Sequence, residues 1–393
     1  MNRTAALEAA MGEPDPSSLG AGERLRTRFS REEATWALRQ AALRRAAAVK
    51  FERADLMLFT RDGLEQATRQ AVARWRARRF VDAGVEEVWD LGCGIGADAM
   101  AFAEAGLRVV AVDADPETVE VARHNVALID PRAEVRLGRA EEQQPPPGAA
   151  VFLDPARRTA RGRTWNVADF TPPWEFVLGQ LASEWFVCVK LGPGVPKELI
   201  PGGVQAVWVS ESRDVVEASL WNRFPAGTAA VVLGGGPEPV IAERQDASGG
   251  LDVRPIGRYL IEPNGAVIRA GAFEAIAPGR DVWLLDPHTA YLSSDEPVDS
   301  PLATCFEVRE VLDYDRKRLR RFVADNGIGT LEIKRRGLDV DPAALRRELK
   351  PKGRASATIV LARTVEGAKA IVVERPPAAS AEVNVHGGRP RRS

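Results

Sequence analysis

Between about Glu23 and Phe80, apolar residues recur at intervals of three and four (Trp36, Leu38, Ala41, Leu43, then Leu64, Ala67, Val72, Trp75) among Ala, Arg and Glu. This spacing puts them on one stripe of a helix and predicts a helical N-terminal region over 1–80. At Val85 the period changes. VEEVWDLGCG is a short apolar run closed by a Gly-rich turn; a helical pattern (Ala97 to Ala105), the run LRVVAVDAD and a second helical pattern (Pro116 to Ala127) follow. Strands alternating with helices predict a parallel sheet. The alternation continues through AEVRLGRAEE, AAVFLDPAR, a helix near Pro173 to Ala182, and WFVCVKLGPG. VQAVWVSES and DVVEASLWN then read as paired strands and TAAVVLGGG as a last one. The predicted fold class is α/β: a mostly parallel, doubly wound, Rossmann-like sheet over 81–236.

GGGPEPVIAERQDASGG is loop-like in its Gly, Pro and Ser content, and 237–300 is expected to be a connecting segment. Over 301–375, FEVREVLDY, DRKRLRRFVADNG, IGTLEIKRRG, DPAALRRELKP, ATIVLARTV and KAIVVER read as strand, helix, strand, helix, strand, strand, a small α+β domain. The Pro-, Ala-, Gly- and Arg-rich end, 376–393, is expected to be a disordered tail.

A length of 393 residues suggests two or three domains, and 45% hydrophobic residues exclude a disordered chain. Cys93, Cys188 and Cys305 form no C-x-x-C, and there are three histidines, which argues against a disulfide framework and a zinc site. A cytoplasmic protein without metal is expected. No run of 18 apolar residues occurs and the N-terminus has no signal-like core, so no membrane association is expected. The formal charge of -1 hides an asymmetry. Residues 1–80 carry 16 basic and 10 acidic side chains, 81–300 carry 18 and 33, and 301–375 carry 17 and 11. Two basic flanks around an acidic middle can attract a phosphate backbone at the flanks.

The segment Asp90-Leu-Gly92-Cys93-Gly94-Ile-Gly96 ends the first strand and opens a helix, so its glycines permit a tight turn and close approach of a ligand. With Ala97 and Asp113 it also meets the dinucleotide spacing, and spacing alone leaves NAD and S-adenosylmethionine open. Asp90 would repel a pyrophosphate but suits a cofactor carrying an ammonium and a sulfonium. The pattern resembles motif I of the class I methyltransferases, with Asp113-Ala114 as the second motif. The resemblance implies that Asp113 holds the ribose hydroxyls, that Gly138-Arg139-Ala140-Glu141 faces adenine, with Arg139 where an acid is usual and Glu141 as a substitute, and that Asp90, Gly92, Cys93, Gly94, Gly96, Ala114, Arg139, Ala140 and Asp154 complete the cofactor site.

After the fourth strand, Asp154-Pro155-Ala156-Arg157 resembles the Asp-Pro-Pro-aromatic motif of nucleic-acid methyltransferases. There a carboxylate and a turn carbonyl accept hydrogen bonds from an exocyclic amine and free its lone pair for attack. Asp154, Pro155, Arg157 and Lys190 are the candidate catalytic residues. The motif's aromatic is missing; Trp165, Phe170 or Trp174 are candidates to replace it. Arg157, Arg158, Arg161 and Arg163 suit a phosphate-facing loop. The cysteine needed for pyrimidine C5 methylation is absent, Cys188 lying within a strand. Ribose 2′-O-methylation by Asp154, Lys190 and Glu217 is the alternative chemistry.

Together, KFERADLMLFTRDGLEQAT, DPARR, VKLGPG and GIGTLEIKRRGLDVDPAALRRELKPKG resemble a bacterial family of class I methyltransferases with a C-terminal THUMP-like domain. The resemblance implies an RNA substrate, tRNA included, bound through Lys334, Arg335, Arg336, Lys350, Lys352 and Arg354. The reading from a different class is a catalytically inactive RNA-binding module of the same fold.

Overall fold

A computed structural model describes residues 3–157, 165–236, 238–244 and 250–376. Arg158, Arg161, Arg163 and the tail from 377 lie outside the described residues. The chain forms two compact units, Met1–Arg244 with Gly265–Ala272, and Gln245–Asn264 with Phe273–Ser393.

The first unit opens with helices α1 (Arg3–Met11), α2 (Leu19–Arg26), α3 (Arg31–Ala47), α4 (Arg61–Gln66) and α5 (Gln70–Asp82). Ser18 caps α2, and Ser30 with Glu33 forms a capping box on α3. The helical pattern breaks between α3 and α4. Leu56-Met57-Leu58-Phe59 is a run of four apolar residues that no single helical stripe could bury, and in the irregular chain here Met57 and Phe59 are fully buried. Two buried amides pin this strap. Gln40 of α3 donates to the Phe59 carbonyl (2.8 Å) and accepts from its N–H (3.0 Å). Asn125 accepts from Leu58 N–H (2.8 Å) and donates to the carbonyls of Leu58 and Ile95 (2.9 Å each). At the far end of α4, Lys50 Nζ donates to the carbonyls of Leu64 (2.7 Å) and Glu65 (3.1 Å), groups left open by the ending helix.

The α/β core contains β1 (Glu87–Leu91), α6 (Ala97–Glu104), β2 (Arg108–Asp113), α7 (Pro116–Ala127), β3 (Glu134–Leu137), β4 (Ala150–Leu153), a short ribbon β5 (Ala156–Arg157) with β6 (Phe170–Thr171), α8 (Trp174–Leu181), β7 (Phe186–Leu191), β8 (Gln205–Glu211), β9 (Asp214–Trp221), β10 (Gly227–Leu233) and β11 (Val240–Glu243), with α9 (Gly265–Ala270) returning to it. The sheet order is β11-β10-β8-β9-β7-β4-β1-β2-β3. Strands β3, β2, β1, β4 and β7 are parallel, and β9 is inserted antiparallel between β7 and β8. Phe80 of α5 packs on Phe102 (5.7 Å between ring centroids) and Trp221 (5.1 Å), and Phe102 on Phe152 (5.5 Å), so α5 belongs to the core of the sheet.

Within this aromatic cluster lies Arg76, fully buried. Its Nη2 donates to both oxygens of Glu217 on β9 (2.5 and 2.6 Å), Nη1 donates to Asp98 at the start of α6, and the guanidinium lies 4.6 Å from the Phe152 ring centroid. Thr68 donates to the other oxygen of Asp98 (2.6 Å). One cation thus binds three segments far apart in the chain.

The second unit is a seven-stranded sheet of order β13-β14-β12-β15-β18-β17-β16. Its strands are β12 (Tyr259–Pro263), β13 (Trp283–Asp286), β14 (Thr289–Ser294), β15 (Ala303–Asp313), β16 (Ile328–Arg336), β17 (Ala355–Thr364) and β18 (Gly367–Glu374). Helices α10 (Arg316–Asp325) and α11 (Pro342–Leu349) bury Leu319, Val323, Leu345 and Leu349 in a core shared with Leu331, Ile333 and Leu361. The stretch 237–300, expected to connect, carries β11 to β14 and α9; its strands are only four to six residues long and sit among turn-forming residues, which hides them from pattern reading.

Removing one partner of a buried ion network strands the others without water. Arg76→Ala should therefore lower stability by about 3–5 kcal/mol in urea denaturation. Arg74→Ala, which breaks exposed pairs with Glu52 and Glu104, should cost about 1 kcal/mol or less.

Candidate active site

The chain runs outward from β1 to β2 and β3, then returns to β4 on the other side of β1. At such a reversal the strand ends leave a crevice, where ligands of open α/β sheets bind. A cavity of about 480 Å³ opens there, within the range of small-molecule sites. Gly92, Cys93 and Gly94 line it from the turn after β1, Asp113 and Ala114 from the end of β2, Arg139 and Ala140 from the turn after β3, Asp154 and Pro155 from the end of β4, and Lys190 from β7.

The turn after β1 has left-handed φ at Gly94 (+55°) and Gly96 (+83°), which glycine adopts without strain. Its chain neighbours aside, a Cβ on Gly94 would meet no described residue within 4 Å. Gly96 serves packing instead: it does not line the cavity, and a Cβ there would stand 2.9 Å from Val126 of α7. Asp113 accepts from Gly94 N–H (2.9 Å) and Asp115 N–H (3.0 Å), leaving further lone pairs for hydroxyl donors. Burial raises its pKa and these N–H donors oppose the rise.

Asp90 lies behind the wall rather than in it. It is fully buried and neither oxygen has a hydrogen-bond partner among the described residues. Burial, then the field of Asp154, push its pKa up to about 8, against Arg76 and Lys190. Such a carboxyl is mostly protonated at pH 7 and ionises readily if a cation arrives nearby. Cys93 is buried with its thiol pKa raised by burial, and Cys188 is fully buried inside β7, as expected of an inert thiol.

At the other end of the cavity, Lys190 Nζ donates to Asp154 Oδ2 at 2.5 Å, a charge-assisted bond that orients the carboxylate. Glu217 does not join them. Both of its oxygens are taken by Arg76, so the three-residue ribose arrangement is not assembled as expected. β5 folds back on β6, pairing Ala156 with Thr171 and Arg157 with Phe170, which brings the aromatics beside Asp154. Arg157 enters this description through its backbone alone. Of the three candidate aromatics, Phe170 and Trp174 are buried and packed together (5.2 Å), and Phe170 and the half-buried Trp165, 6.0 Å apart, both line the cavity.

Sequence reading missed one wall altogether: Gly63, Gln66, Ala67 and Thr68, which precede the strand–helix alternation, line the same cavity. Arg139 pairs with Glu141 (3.0 Å) on the wall after β3.

In the second unit the basic clusters divide. Lys334 is held by Glu262 (2.6 Å), and Arg336 donates to the Ala290 carbonyl (2.6 Å) over the Tyr291 ring. Arg335, Lys350, Lys352 and Arg354 are exposed. So are Lys317, Arg320 and Arg321 on α10 and Arg346 and Arg347 on α11.

A Rossmann-like sheet with a glycine turn, an acid ending β2 and an Asp-Pro turn after β4 defines a group-transfer enzyme of the methyltransferase class. The methyltransferase domain family matches residues 88–153, and the THUMP domain-like family matches 303–375. An uncharacterized S-adenosylmethionine-dependent methyltransferase of Mycobacterium tuberculosis is 35% identical over 362 residues, 87% of this chain and 96% of the relative, in strains CDC 1551 and H37Rv alike. A crystal structure from Porphyromonas gingivalis W83, assigned as a methyltransferase, shares the fold at a TM-score of 0.74 with 19% identity, covering 95% of this chain and 98% of the other. The chain belongs to the S-adenosylmethionine-dependent methyltransferases and carries a C-terminal THUMP-like domain. The glycine turn open to the cavity and the orphaned Asp90 carboxyl fit a cofactor that is bulky at its nucleoside end and cationic at the other.

Gly94→Val should abolish S-adenosylmethionine binding in calorimetry, since the added side chain enters the cavity from a backbone conformation that valine resists. A cation favours ionised Asp90, so binding below pH 8 must displace a proton. Affinity should rise between pH 6 and 8, by at most about tenfold per unit, and Asp90→Asn should remove that slope.

Proposed function

We propose that the enzyme methylates an exocyclic base nitrogen of a structured RNA, tRNA being the candidate the THUMP-like domain suggests. The observation that carries this reading is Trp165, a half-buried indole on the wall that also holds Asp154, positioned to stack on a planar acceptor. In this reading Gly92, Gly94, Asp113, Ala114, Arg139 and Ala140 hold the cofactor, which when bound supplies a methyl group on a positively charged sulfur. Asp154 accepts an N–H of the amine through Oδ1, Lys190 having fixed Oδ2, and the carbonyl of Pro155 accepts the second. The nitrogen lone pair is thereby turned out of conjugation and towards the methyl. Lys190 acts as the orienting partner of Asp154.

Base-stacking by Trp165 is sequence-tolerant, so recognition of the RNA must come from elsewhere. The exposed cations of α10, α11 and Lys350 to Arg354 form the surface we assign to the phosphate backbone; Lys334 and Arg336, spent on internal contacts, are left out of it.

A second reading, ribose 2′-O-methylation, is favoured by the Asp154–Lys190 pair itself, since a lysine beside a hydroxyl lowers its pKa and the neighbouring carboxylate can take the proton. Nucleoside mass spectrometry of RNA from a deletion strain separates the two: loss of a base-methylated nucleoside supports the first reading, loss of a ribose-methylated one the second.

Asp154→Ala should retain cofactor binding and lose methyl transfer by about 100-fold or more. Trp165→Ala should raise KM for RNA, and Trp165→Phe should largely restore it. Reversing Lys350, Lys352 and Arg354 to Glu should weaken RNA binding about tenfold or more and flatten its salt dependence, while Lys334→Gln leaves the salt slope unchanged.

A further inference from the structure

We propose that the strap and helix preceding the methyltransferase domain, residues 58–68, are a structural wall of the cofactor site, with Thr68 as the positioning residue that sets it. The proposal rests on the cavity being the cofactor's.

Gly63, Gln66, Ala67 and Thr68 face the same cavity as Gly92, Asp113 and Asp154, although they lie outside the matched domain at 88–153. The segment touches the glycine turn directly: a Cβ on Gly63 would stand 2.3 Å from Ile95 Cγ2, so the Gly63 backbone packs on the Ile95 side chain as closely as only glycine permits. It has little regular structure of its own beyond the six residues of α4. It is held instead by polar anchors that converge from separate elements: Gln40 on Phe59, Asn125 on Leu58, Lys50 on the end of α4, and Thr68 on Asp98.

Apolar packing alone would stabilise such a strap but would tolerate sliding, because it is non-directional. Hydrogen bonds to buried amides and to a carboxylate fix position as well as contact. Asn125 joins strap and turn in one residue, donating to Leu58 and Ile95 at 2.9 Å each. Asp98 does the same on the other side. It lines the cavity at the first turn of α6, receives Thr68 on one oxygen at 2.6 Å, and gives the other to buried Arg76. Both oxygens being used, Asp98 is a fixed post, and the hydroxyl of Thr68 is the tie that draws the wall to it. A bound cofactor would in turn hold the wall in place.

The test is hydrogen exchange over residues 58–68 with and without S-adenosylhomocysteine, together with calorimetric S-adenosylmethionine affinity, on the full chain. In the parent, the ligand should slow exchange across the segment. Thr68→Val, which keeps the shape and removes the donor, should weaken affinity about tenfold, the scale of one hydrogen bond to a charged group, and reduce the ligand-induced protection. Thr68→Ser should restore both. A purely structural role would lower the melting temperature while leaving affinity and protection at parental levels, and that result overturns the proposal. So does exchange in 58–68 that ignores the ligand. Gly94→Val distinguishes the failures: if it too binds as the parent does, the cavity itself was misassigned, whereas loss of binding there with a parental Thr68→Val refutes the wall alone.

Discussion

A guanidinium sealed from water at the centre of the methyltransferase unit constrains everything around it. Arg76 cannot be left unpaired, so α5, the start of α6 and β9 must all be in place before the interior is electrically tolerable. That requirement fixes α6, and α6 fixes the glycine turn from which it springs. The same charge takes Glu217 out of the acceptor end of the cavity. Hydrophobic residues of similar volume could fill the space as stably, but they would not dictate which carboxylate goes where.

Electrostatics then grade the cavity from one end to the other. Asp90, beneath the turn, is neutralised by its own burial, while Asp154, partly exposed, has an ammonium beside it. Two aspartates at the ends of adjacent parallel strands therefore meet different surroundings, one sealed in the interior and one facing a lysine, a division produced by environment rather than by residue type. The indole of Trp165 adds to that wall a half-buried face suited to a flat, uncharged ring.

How much of this could be read from the chain depends on how far apart the partners lie. That Gly92 to Gly94, Asp113, Asp154 and Lys190 share one cavity was legible because strand ends carry their chemistry locally and the strand–helix alternation puts those ends on one edge, whereas the burial of Asp90 and the packing role of Gly96 were not. Thr68 and Arg76 were not. Their partners are 30 and 141 residues away, and nothing in an Arg- and Ala-rich helix distinguishes one inward arginine from its solvent-facing neighbours. The same distance misled the reading of Lys334, which looks free in the sequence because Glu262 lies 72 residues upstream. The missed strands of 250–300 show the converse case, where the elements are local but too short for periodicity to register.

The span between Arg76 and Glu217 also has a consequence for synthesis. The arginine leaves the ribosome roughly 140 residues ahead of its carboxylate, which at about 5–20 residues per second is an interval of several seconds or more. During that time β1 to β4 can form their parallel core, yet α5 seating on it would answer Arg76 with Asp98 alone and leave Nη2 without its carboxylate. Closure of the unit is thus deferred until β9 arrives.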